Sequence, residues 1–249
     1  MNKPKRIIPC LYLCESTEIY SHNKNIISFQ DSFELIDKLV LDGMRELTVM
    51  LVSNIEDRRK PYLKYLTQLR EKHPLLHITA GGGTHVKGEV DDMLKTGISG
   101  ILLNSVAVRN PELINFISKE YGSEFVSVNI DTKKSFDNWK VYISGGKSRT
   151  EIDAISWSKL LELRGASQLY ISSASRSNQF ELLELLPLIK AHVGIPILAV
   201  LHSVGKDEIL NTLQTSLVDG IASTSYFIKN ENSFAEIKAY LSHHEIEVA

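Results

Sequence analysis

One carboxylate in the sequence, Asp131, stands where a side chain could carry a proton. It ends the apolar, β-branched run Phe125–Asp131, and Thr132-Lys133-Lys134 follow it. A carboxylate at the end of a strand can take or give a proton when burial or a neighbour tunes it. The alternative is structural, because the same group can cap the following turn through local hydrogen bonds. Asp131 is therefore a candidate for general acid–base chemistry.

A second group of residues has types suited to binding an anion. Gly81, Gly82 and Gly83 follow one apolar run, and Asn104 and Ser105 follow the next. Glycines allow close approach to the backbone, and backbone N–H groups with a hydroxyl and an amide can surround an anion such as phosphate. The alternative is a tight turn that needs only the positive φ that glycine tolerates.

These residues have to be positioned by strands and helices, and the sequence shows patterns typical of both in alternation. Short apolar, β-branched runs typical of strands occur at Arg6–Leu13, Leu47–Val52, Leu76–Ala80, Ile101–Asn104, Phe125–Asp131, Gln168–Ser173, Ile197–Leu201 and Gly220–Thr224. Amphipathic segments of helical period occur at Phe33–Leu41, Pro61–Lys72, Val90–Lys95, Pro111–Tyr121, Ile155–Arg164, Leu182–His192, Asp207–Thr215 and Phe234–His243. This alternation predicts a parallel sheet covered by helices on its outer face.

Eight strand–helix units close into a barrel more readily than into an open sheet. With 249 residues and no linker rich in proline, glycine or serine, the chain is predicted to be one (β/α)8 TIM barrel over residues 1–249. A small hairpin strand, Trp139–Ile143, is expected after the fifth barrel strand. Chemistry in such barrels sits at the carboxyl ends of the strands, which is where the candidate residues fall.

The charge, the apolar runs and the cysteines of the sequence argue against several classes of function. The formal net charge is -2, so electrostatics does not favour nucleic acid or an anionic membrane as a partner. The first apolar run is too short to span a bilayer. Cys10 and Cys14, the only cysteines, are read as packing residues, since neither a zinc site nor a disulfide framework fits them. We expect a cytoplasmic protein without a metal or cofactor.

Several stretches of the sequence resemble one family. They are RIIPCL, ITAGGGTHV, LLNSVAVRNPELI, EYGSEFVSVNIDTKK, WKVYISGG and AEIKAYL, and together they extend over nearly the whole chain. In this order and spacing they resemble the cyclase subunit of imidazole glycerol phosphate synthase, the HisF family. The combination of NSVAVRNPELI with VNIDTKK is specific, whereas GGG alone is weak. The isomerase that acts one step earlier in histidine synthesis is the nearest competitor.

The resemblance implies a lyase/cyclase of histidine biosynthesis that works with a glutamine amidotransferase. In that family a HisH-like glutaminase subunit releases ammonia, which passes through the barrel to a bisphosphorylated substrate at the mouth. The products are imidazole glycerol phosphate and an aminoimidazole carboxamide ribotide. Two aspartates, at the ends of strands one and five, act as general acid and base, and two phosphate sites hold the substrate.

Part of this machinery is present. The resemblance makes Asp131 the strand-five catalytic aspartate. It assigns the first phosphate site to Gly81, Gly82, Gly83, Asn104 and Ser105, and it adds Ser225 after strand eight. It also places an ammonia gate at the barrel floor, where Arg6 and Glu46 match two charged positions and Gln168 occupies a third.

Other parts are missing. The strand-one aspartate falls at Tyr12, and a phenol, with an ordinary pKa of about 10, does not replace a carboxylate as a base at neutral pH without a large shift. A further family carboxylate falls at Leu51. The family's glycine-rich loop after strand one reads CESTEIYSHNKN here, with Lys24 matching its lysine only by length. At the floor, Gly100 and Gln168 occupy positions where the family has charges.

The second phosphate site has changed most. Residues 175–178 read Ser-Arg-Ser-Asn and residues 200–203 read Val-Leu-His-Ser, where the family expects glycine-containing runs. Bulky side chains there block approach of an anion to the backbone. Arg176 and His202 offer replacement positive charge, and the alternative for both is an ordinary polar loop.

Three functions follow. The first is a divergent paralogue that pairs with a glutaminase and channels ammonia to another acceptor without standard cyclase activity. The second is a functional cyclase in which Glu15, Glu18 or His22 of the first loop replaces the missing acid. The third is a non-catalytic subunit that binds a phosphate ligand.

Overall fold

The computed structural model describes residues 3–14, 26–52, 59–136, 138–175, 180–202, 204–223, 225–229 and 234–249. Within these ranges the strands are β1 (Arg6–Cys14), β2 (Ile26–Ser28), β3 (Glu46–Leu51), β4 (His77–Gly81), β5 (Gly100–Leu103), β6 (Val126–Ser135), β7 (Asn138–Ile143), β8 (Ser148–Asp153), β9 (Gln168–Ser173), β10 (Ile197–Leu201) and β11 (Gly220–Ser223).

Eight of these strands form a closed parallel barrel. Their order around it is β1, β3, β4, β5, β6, β9, β10 and β11, and β11 pairs with β1 to close the ring. In the closing pair, Arg6 lies opposite Gly220. These strands are the eight predicted ones, so the predicted (β/α)8 barrel is confirmed. The Lys5–Val248 bridge joins the two ends of the chain at the foot of β1.

Helices follow the barrel strands. They are α1 (Phe29–Leu41), α2 (Arg59–Lys72), α3 (Lys87–Lys95), α4 (Ser105–Arg109), α5 (Glu112–Glu120), α6 (Ala154–Leu163), α7 (Phe180–Lys190), α8 (Lys206–Thr215), α9 (Tyr226–Lys229) and α10 (Phe234–His243), with a 3-10 turn at Ser123–Phe125. The eight predicted helices are all present; Phe234–His243 has the predicted ends, and each of the others has at least one shifted end. The short α4 and α9 come directly after β5 and β11 and were not predicted.

Local signals begin and end several helices. Ser28 caps α1 by accepting a hydrogen bond from the Asp31 amide at 3.0 Å, which satisfies one of the free donors of the first turn. Gly43, Gly97 and Gly165 follow α1, α3 and α6, with φ of 103°, 84° and 100°. Glycine adopts this left-handed conformation without steric cost, which ends each helix and turns the chain towards the next strand.

The barrel sheet continues beyond β6 into an antiparallel extension. β7 pairs with β6, and β8 pairs with β7. The predicted strand Trp139–Ile143 corresponds to β7, but β8 was missed. Its sequence, SRTEID, is mostly polar, and its side chains are exposed or half-buried, so it lacks the apolar run that marked the other strands. The three-residue β2, which pairs with β1, was missed because of its length.

The turn between β6 and β7 contains Phe136, which has φ of 54° and is 94% exposed. A left-handed backbone costs a bulky residue roughly 1–2 kcal/mol, whereas asparagine tolerates it. We therefore expect Phe136→Asn to raise the free energy of unfolding by about 0.5–1 kcal/mol, measured by urea denaturation. Leu163→Asn is the control, since Leu163 is also exposed but helical; an equal gain there would mean that lost surface hydrophobicity, not backbone strain, is responsible.

The barrel strands bury side chains on two sides. Outward residues join the helices in the main core, and inward residues form a separate apolar cluster inside the barrel: Ile8, Cys10, Leu102, Tyr170, Leu198, Val200 and Ala222, with Met50 against it. Both cysteines are buried free thiols. None of the described helices is long and apolar enough to cross a membrane.

Candidate active site

A pocket lies at the carboxyl ends of the barrel strands, which we call the mouth. Its walls are Cys10, Tyr12, Met50, Leu102, Asn104, Asn129, Asp131, Gly145, Tyr170, Ser173, Ala174, Val200 and His202. Its volume is about 110 Å³, well below the roughly 300–1,000 Å³ of a pocket for a whole ligand. The described walls therefore leave room for a small chemical group but not for a whole ligand.

Asp131 is the carboxylate of this pocket. Its side chain is held by three donors: Ser172 Oγ at 2.5 Å and Asn129 Nδ2 at 3.0 Å bond to Oδ1, and Asn104 Nδ2 bonds to Oδ2 at 3.2 Å. Asp131 is only 9% exposed. The donors come from β9, from β6 and from the residue after β5, so the barrel itself fixes the orientation of the carboxylate.

Two of those three donors were not singled out from the sequence. Asn129 lies two residues before Asp131 on β6, and residues two apart on a strand share a face. That spacing was the available signal. Ser172 faces Asp131 in the register between β6 and β9, and only the closed barrel reveals that pairing. Asn129 Nδ2 also lies 3.3 Å from Ser172 Oγ, so the three side chains form one network.

Asn104 and Ser105 are both near the pocket, but they are engaged differently. Asn104 donates to Asp131. Ser105 Oγ accepts a hydrogen bond from the Ser144 amide at 2.8 Å, and Arg109 donates to Ser144 Oγ at 2.8 Å. These bonds fix the β7–β8 turn beside the mouth, where Gly145 lines the pocket. Gly145 belongs to the WKVYISGG stretch but was not singled out from the sequence.

The Gly81–Gly83 turn needs its glycines for backbone reasons. Gly82 has φ of 91° and Gly83 has φ of 69°. A Cβ on Gly82 would lie 2.6 Å from the carbonyl oxygen of Leu51, and one on Gly81 would lie 2.7 Å from that of Leu102. The tight-turn alternative thus accounts for two of the glycines without a ligand. Gly83 has more room, since the nearest atom to its Cβ would be 3.7 Å away.

On the opposite side of the mouth, Ser225 and His202 lie close together. The hydroxyl of Ser225 donates a short hydrogen bond to the His202 carbonyl oxygen, in the loop after β10. The hydroxyl proton of Ser225 is therefore already used in a hydrogen bond. The imidazole of His202 is buried and lines the pocket. The segment 176–178, with Arg176, lies outside the described residues, as does Ser203.

The structure describes both positions at which the resemblance implies a carboxylate that this sequence lacks. Tyr12, near the end of β1, lines the same pocket as Asp131. Leu51, at the end of β3, contacts the main core and the glycine turn. The residues of the first loop, Glu15, Glu18, His22 and Lys24, lie outside the described ranges.

The opposite end of the barrel, at the amino ends of its strands, is called the floor. Arg6 lies there at the centre of a cluster of polar side chains. Its guanidinium bonds to both carboxylate oxygens of Glu46, at 2.8 and 2.5 Å, and to Gln168 Oε1 at 2.8 Å. Gln168 in turn donates to Ser127 Oγ at 2.7 Å. The structure thus brings together the three floor residues predicted from the sequence. Gly100 adds no side chain to this cluster.

Tyr170 lies between the floor and the mouth, with its hydroxyl 3.0 Å from Thr48 Oγ1. Burial raises the pKa of the Tyr170 phenol above its usual value. Burial also raises the pKa of the Cys10 thiol to about 12, so Cys10 is a neutral thiol at physiological pH and a poor nucleophile. Among the described residues that line the pocket, Asp131 is the only carboxylate.

Comparisons with known proteins agree with this geometry. A family described as "Histidine biosynthesis protein" matches residues 6–199. A relative in Flavobacterium psychrophilum is 31% identical over 248 residues, which is 98% of each chain. A Bacillus cereus relative is 30% identical over 251 residues, again 98% of each chain. Both relatives are named imidazole glycerol phosphate synthase subunit HisF.

Proposed function

The chain belongs to the histidine biosynthesis protein family as a divergent HisF-like member, and from this we propose that it pairs with a glutaminase and channels ammonia without standard cyclase activity. Its relatives are named as subunits of imidazole glycerol phosphate synthase. The proposed difference from them is chemical and lies at the mouth pocket. Among the described residues that line this pocket, Asp131 is the one carboxylate, whereas the family mechanism needs two.

The observation that carries the proposal is the pairing of Tyr12 with Asp131 in one pocket. Both side chains line it, and Asp131 is fixed by Asn104, Asn129 and Ser172. A fixed carboxylate can serve as one proton carrier, but a second group of suitable acidity is required for acid and base catalysis together. A phenol of ordinary pKa keeps its proton near neutral pH, so Tyr12 does not replace a carboxylate as the base.

The hydroxyl of Ser105 is better placed than that of Ser225 to donate a hydrogen bond to a phosphate group. Ser105 Oγ accepts from the Ser144 amide, which leaves its own proton to donate to an anion. The hydroxyl of Ser225 already donates a hydrogen bond to the His202 carbonyl oxygen. We therefore assign phosphate binding to the side of Gly83, Asn104 and Ser105.

The floor supports docking of the glutaminase. Large apolar side chains are exposed around it, in the last turns of helices and on the connections that follow them. Leu41, Leu163 and Leu188 lie in the last turns of α1, α6 and α7, and Leu75 and Leu217 lie on connections. Leu75 also borders a groove of about 310 Å³ beneath β3 and β4. Single exposed leucines are normal, but several around one face are typical of an interaction surface. Ammonia released there would enter beside Arg6 and Glu46.

Replacing floor leucines tests this docking. We expect Leu41→Asp with Leu75→Asp to weaken binding of the HisH-like glutaminase from the same genome at least about tenfold, because apolar interface residues would become charged. Titration calorimetry measures the Kd. Phe136→Asp is the matched control, since Phe136 is equally exposed but beyond the carboxyl end of β6, on the mouth side. Unchanged binding in the double variant, or no binding by the unmodified chain, would reject docking at this face.

A further inference from the structure

Leu217 lies at the floor, in the connection from α8 to β11, and its backbone is left-handed, with φ of 57°. It comes two residues after the end of α8. Four other connections into barrel strands have a left-handed residue at the same place, two residues after a helix ends, and each is a glycine: Gly43, Gly97, Gly122 and Gly165. The other turns of the same barrel therefore show that this position suits glycine, and Leu217 departs from them.

The leucine lowers the stability of the free chain. A left-handed backbone brings the Cβ of an L-residue too close to a carbonyl oxygen, and glycine avoids the contact because it has no Cβ. Burial of the side chain against its own helix would offset this cost, but Leu217 is 65% exposed. Backbone strain that local packing does not explain is concentrated at functional sites. The position of Leu217 therefore indicates that something outside the free chain covers it.

The surroundings of Leu217 indicate what kind of surface fits it. Val218, the next residue, is fully buried, and its carbonyl oxygen accepts a hydrogen bond from Lys5 Nζ at 2.5 Å. Lys190 Nζ lies 2.7 Å from Asp219 Oδ2. Two ammonium groups and one carboxylate therefore lie beside the exposed leucine. A complementary surface has an apolar pocket for the leucine and a carboxylate at the rim of that pocket.

A second copy of the chain does not fit this description. In a symmetric dimer centred on Leu217, the same patch lies on both subunits, so Lys5 and Lys190 of one copy would face those of the other. The position favours the glutaminase instead. Gly220, three residues after Leu217, lies opposite Arg6 in the pair of strands that closes the barrel. Leu217 is therefore next to the floor cluster, on the face to which the proposed function assigns the glutaminase.

We propose that Leu217 is the anchor by which the chain recognises its own glutaminase, and that its side chain inserts into an apolar pocket with an acidic rim on that subunit. This inference rests on the proposed function, which supplies the partner. In the complex the leucine side chain leaves water, and this offsets the backbone strain. Leu217 thus sets the affinity for the partner while it lowers the stability of the free chain.

Leu217→Asn tests the anchor with two measurements that should move in opposite directions. Asparagine tolerates the left-handed conformation, so we expect the Tm of the free chain to rise by about 2–4 °C. Loss of the apolar anchor should weaken binding of the HisH-like glutaminase from the same genome at least about tenfold, measured as a Kd by titration calorimetry. Leu217→Met keeps an apolar side chain of similar volume and should leave both the Tm and the Kd nearly unchanged.

Phe136→Asn is the matched control for strain and for apolar exposure. Phe136 has φ of 54° and is 94% exposed, but it lies at the mouth end of the barrel. Its replacement should raise the Tm in the same way and leave the Kd unchanged. An unchanged Kd in Leu217→Asn, or an equal loss of affinity in Phe136→Asn, overturns the proposal. A lower Tm in Leu217→Asn also overturns it, because the leucine would then serve the fold.

The outcomes separate this inference from the proposed function. If Leu41→Asp with Leu75→Asp weakens binding and Leu217→Asn does not, the glutaminase docks at the floor without this anchor. If the unmodified chain binds no glutaminase, both proposals are rejected. Size-exclusion chromatography of the free chain covers the other occupant. A dimer that Leu217→Asn dissociates would assign the leucine to a second copy and reject the glutaminase as its partner.

Discussion

Compared with its Flavobacterium psychrophilum relative, this chain is expected to convert the bisphosphorylated cyclase substrate at least about 100-fold more slowly with ammonium salt as the nitrogen source, since a general acid or base contributes about 10²–10⁴-fold. Asp131 remains in the mouth pocket, but Tyr12 stands where the resemblance implies the second carboxylate. Formation of imidazole glycerol phosphate, followed by chromatography, measures the difference. The same deficit should appear as failure to rescue a histidine auxotroph.

Two variants separate a missing acid from other causes. Tyr12→Asp should raise whatever slow turnover exists, because it restores a carboxylate to the same pocket, and Asp131→Asn should remove it. Thermal unfolding of both variants checks that the barrel stays folded. Turnover equal to that of the relative, and abolished in Asp131→Asn, would instead identify a functional cyclase. Glu15, Glu18 and His22 would then be the first residues to replace.

A large stability effect is expected at Gly82. Gly82→Ala should lower the free energy of unfolding by about 2–4 kcal/mol, the sum of a left-handed backbone penalty and a steric overlap. The overlap is with the Leu51 carbonyl oxygen, 2.6 Å from the added Cβ. A backbone atom in a barrel strand cannot move aside as a flexible side chain can. Chemical denaturation monitored by circular dichroism gives the difference.

Gly83→Ala is the matched control for that variant. Gly83 also has a positive φ, but its Cβ would meet nothing closer than 3.7 Å, so only the backbone penalty of roughly 1 kcal/mol remains. Equal losses in the two variants would show that β3 relaxes around the added methyl group. A phosphate ligand that raises the Tm of the unmodified chain but not of Gly83→Ala would additionally support an anion site at this turn.

The barrel was predictable because its strands are apolar enough to stand out from the helices. Runs such as Ile197–Leu201 are buried at every position, and their spacing left few alternatives to closure. The strand β8 was not predicted, because a strand that extends from a sheet into solvent can be polar on both faces. The short helices α4 and α9 were not predicted, because four or five residues show too little periodicity to indicate a helix.

The site was only partly predictable because its contacts join distant strands. Asp131 was recognisable from its place at the end of a strand and from the resemblance. Ser172, which lies 41 residues further along, becomes a partner only through the β6–β9 register. The Tyr170–Thr48 bond depends on the closed ring, because residues 122 positions apart meet across its centre. Local patterns contain no information about such distances.

The antiparallel extension has a consequence for solubility. A closed barrel offers no exposed strand edge to other molecules, but among the described strands β8 pairs with β7 alone. An unpaired edge of this kind invites pairing with another chain. Here the edge carries Arg149, Glu151 and Asp153 on only six residues, and Arg149 lies 3.5 Å from Glu151. A second copy aligned with it would have to desolvate those charges, so the same polar sequence that concealed β8 also protects the protein from edge-to-edge aggregation.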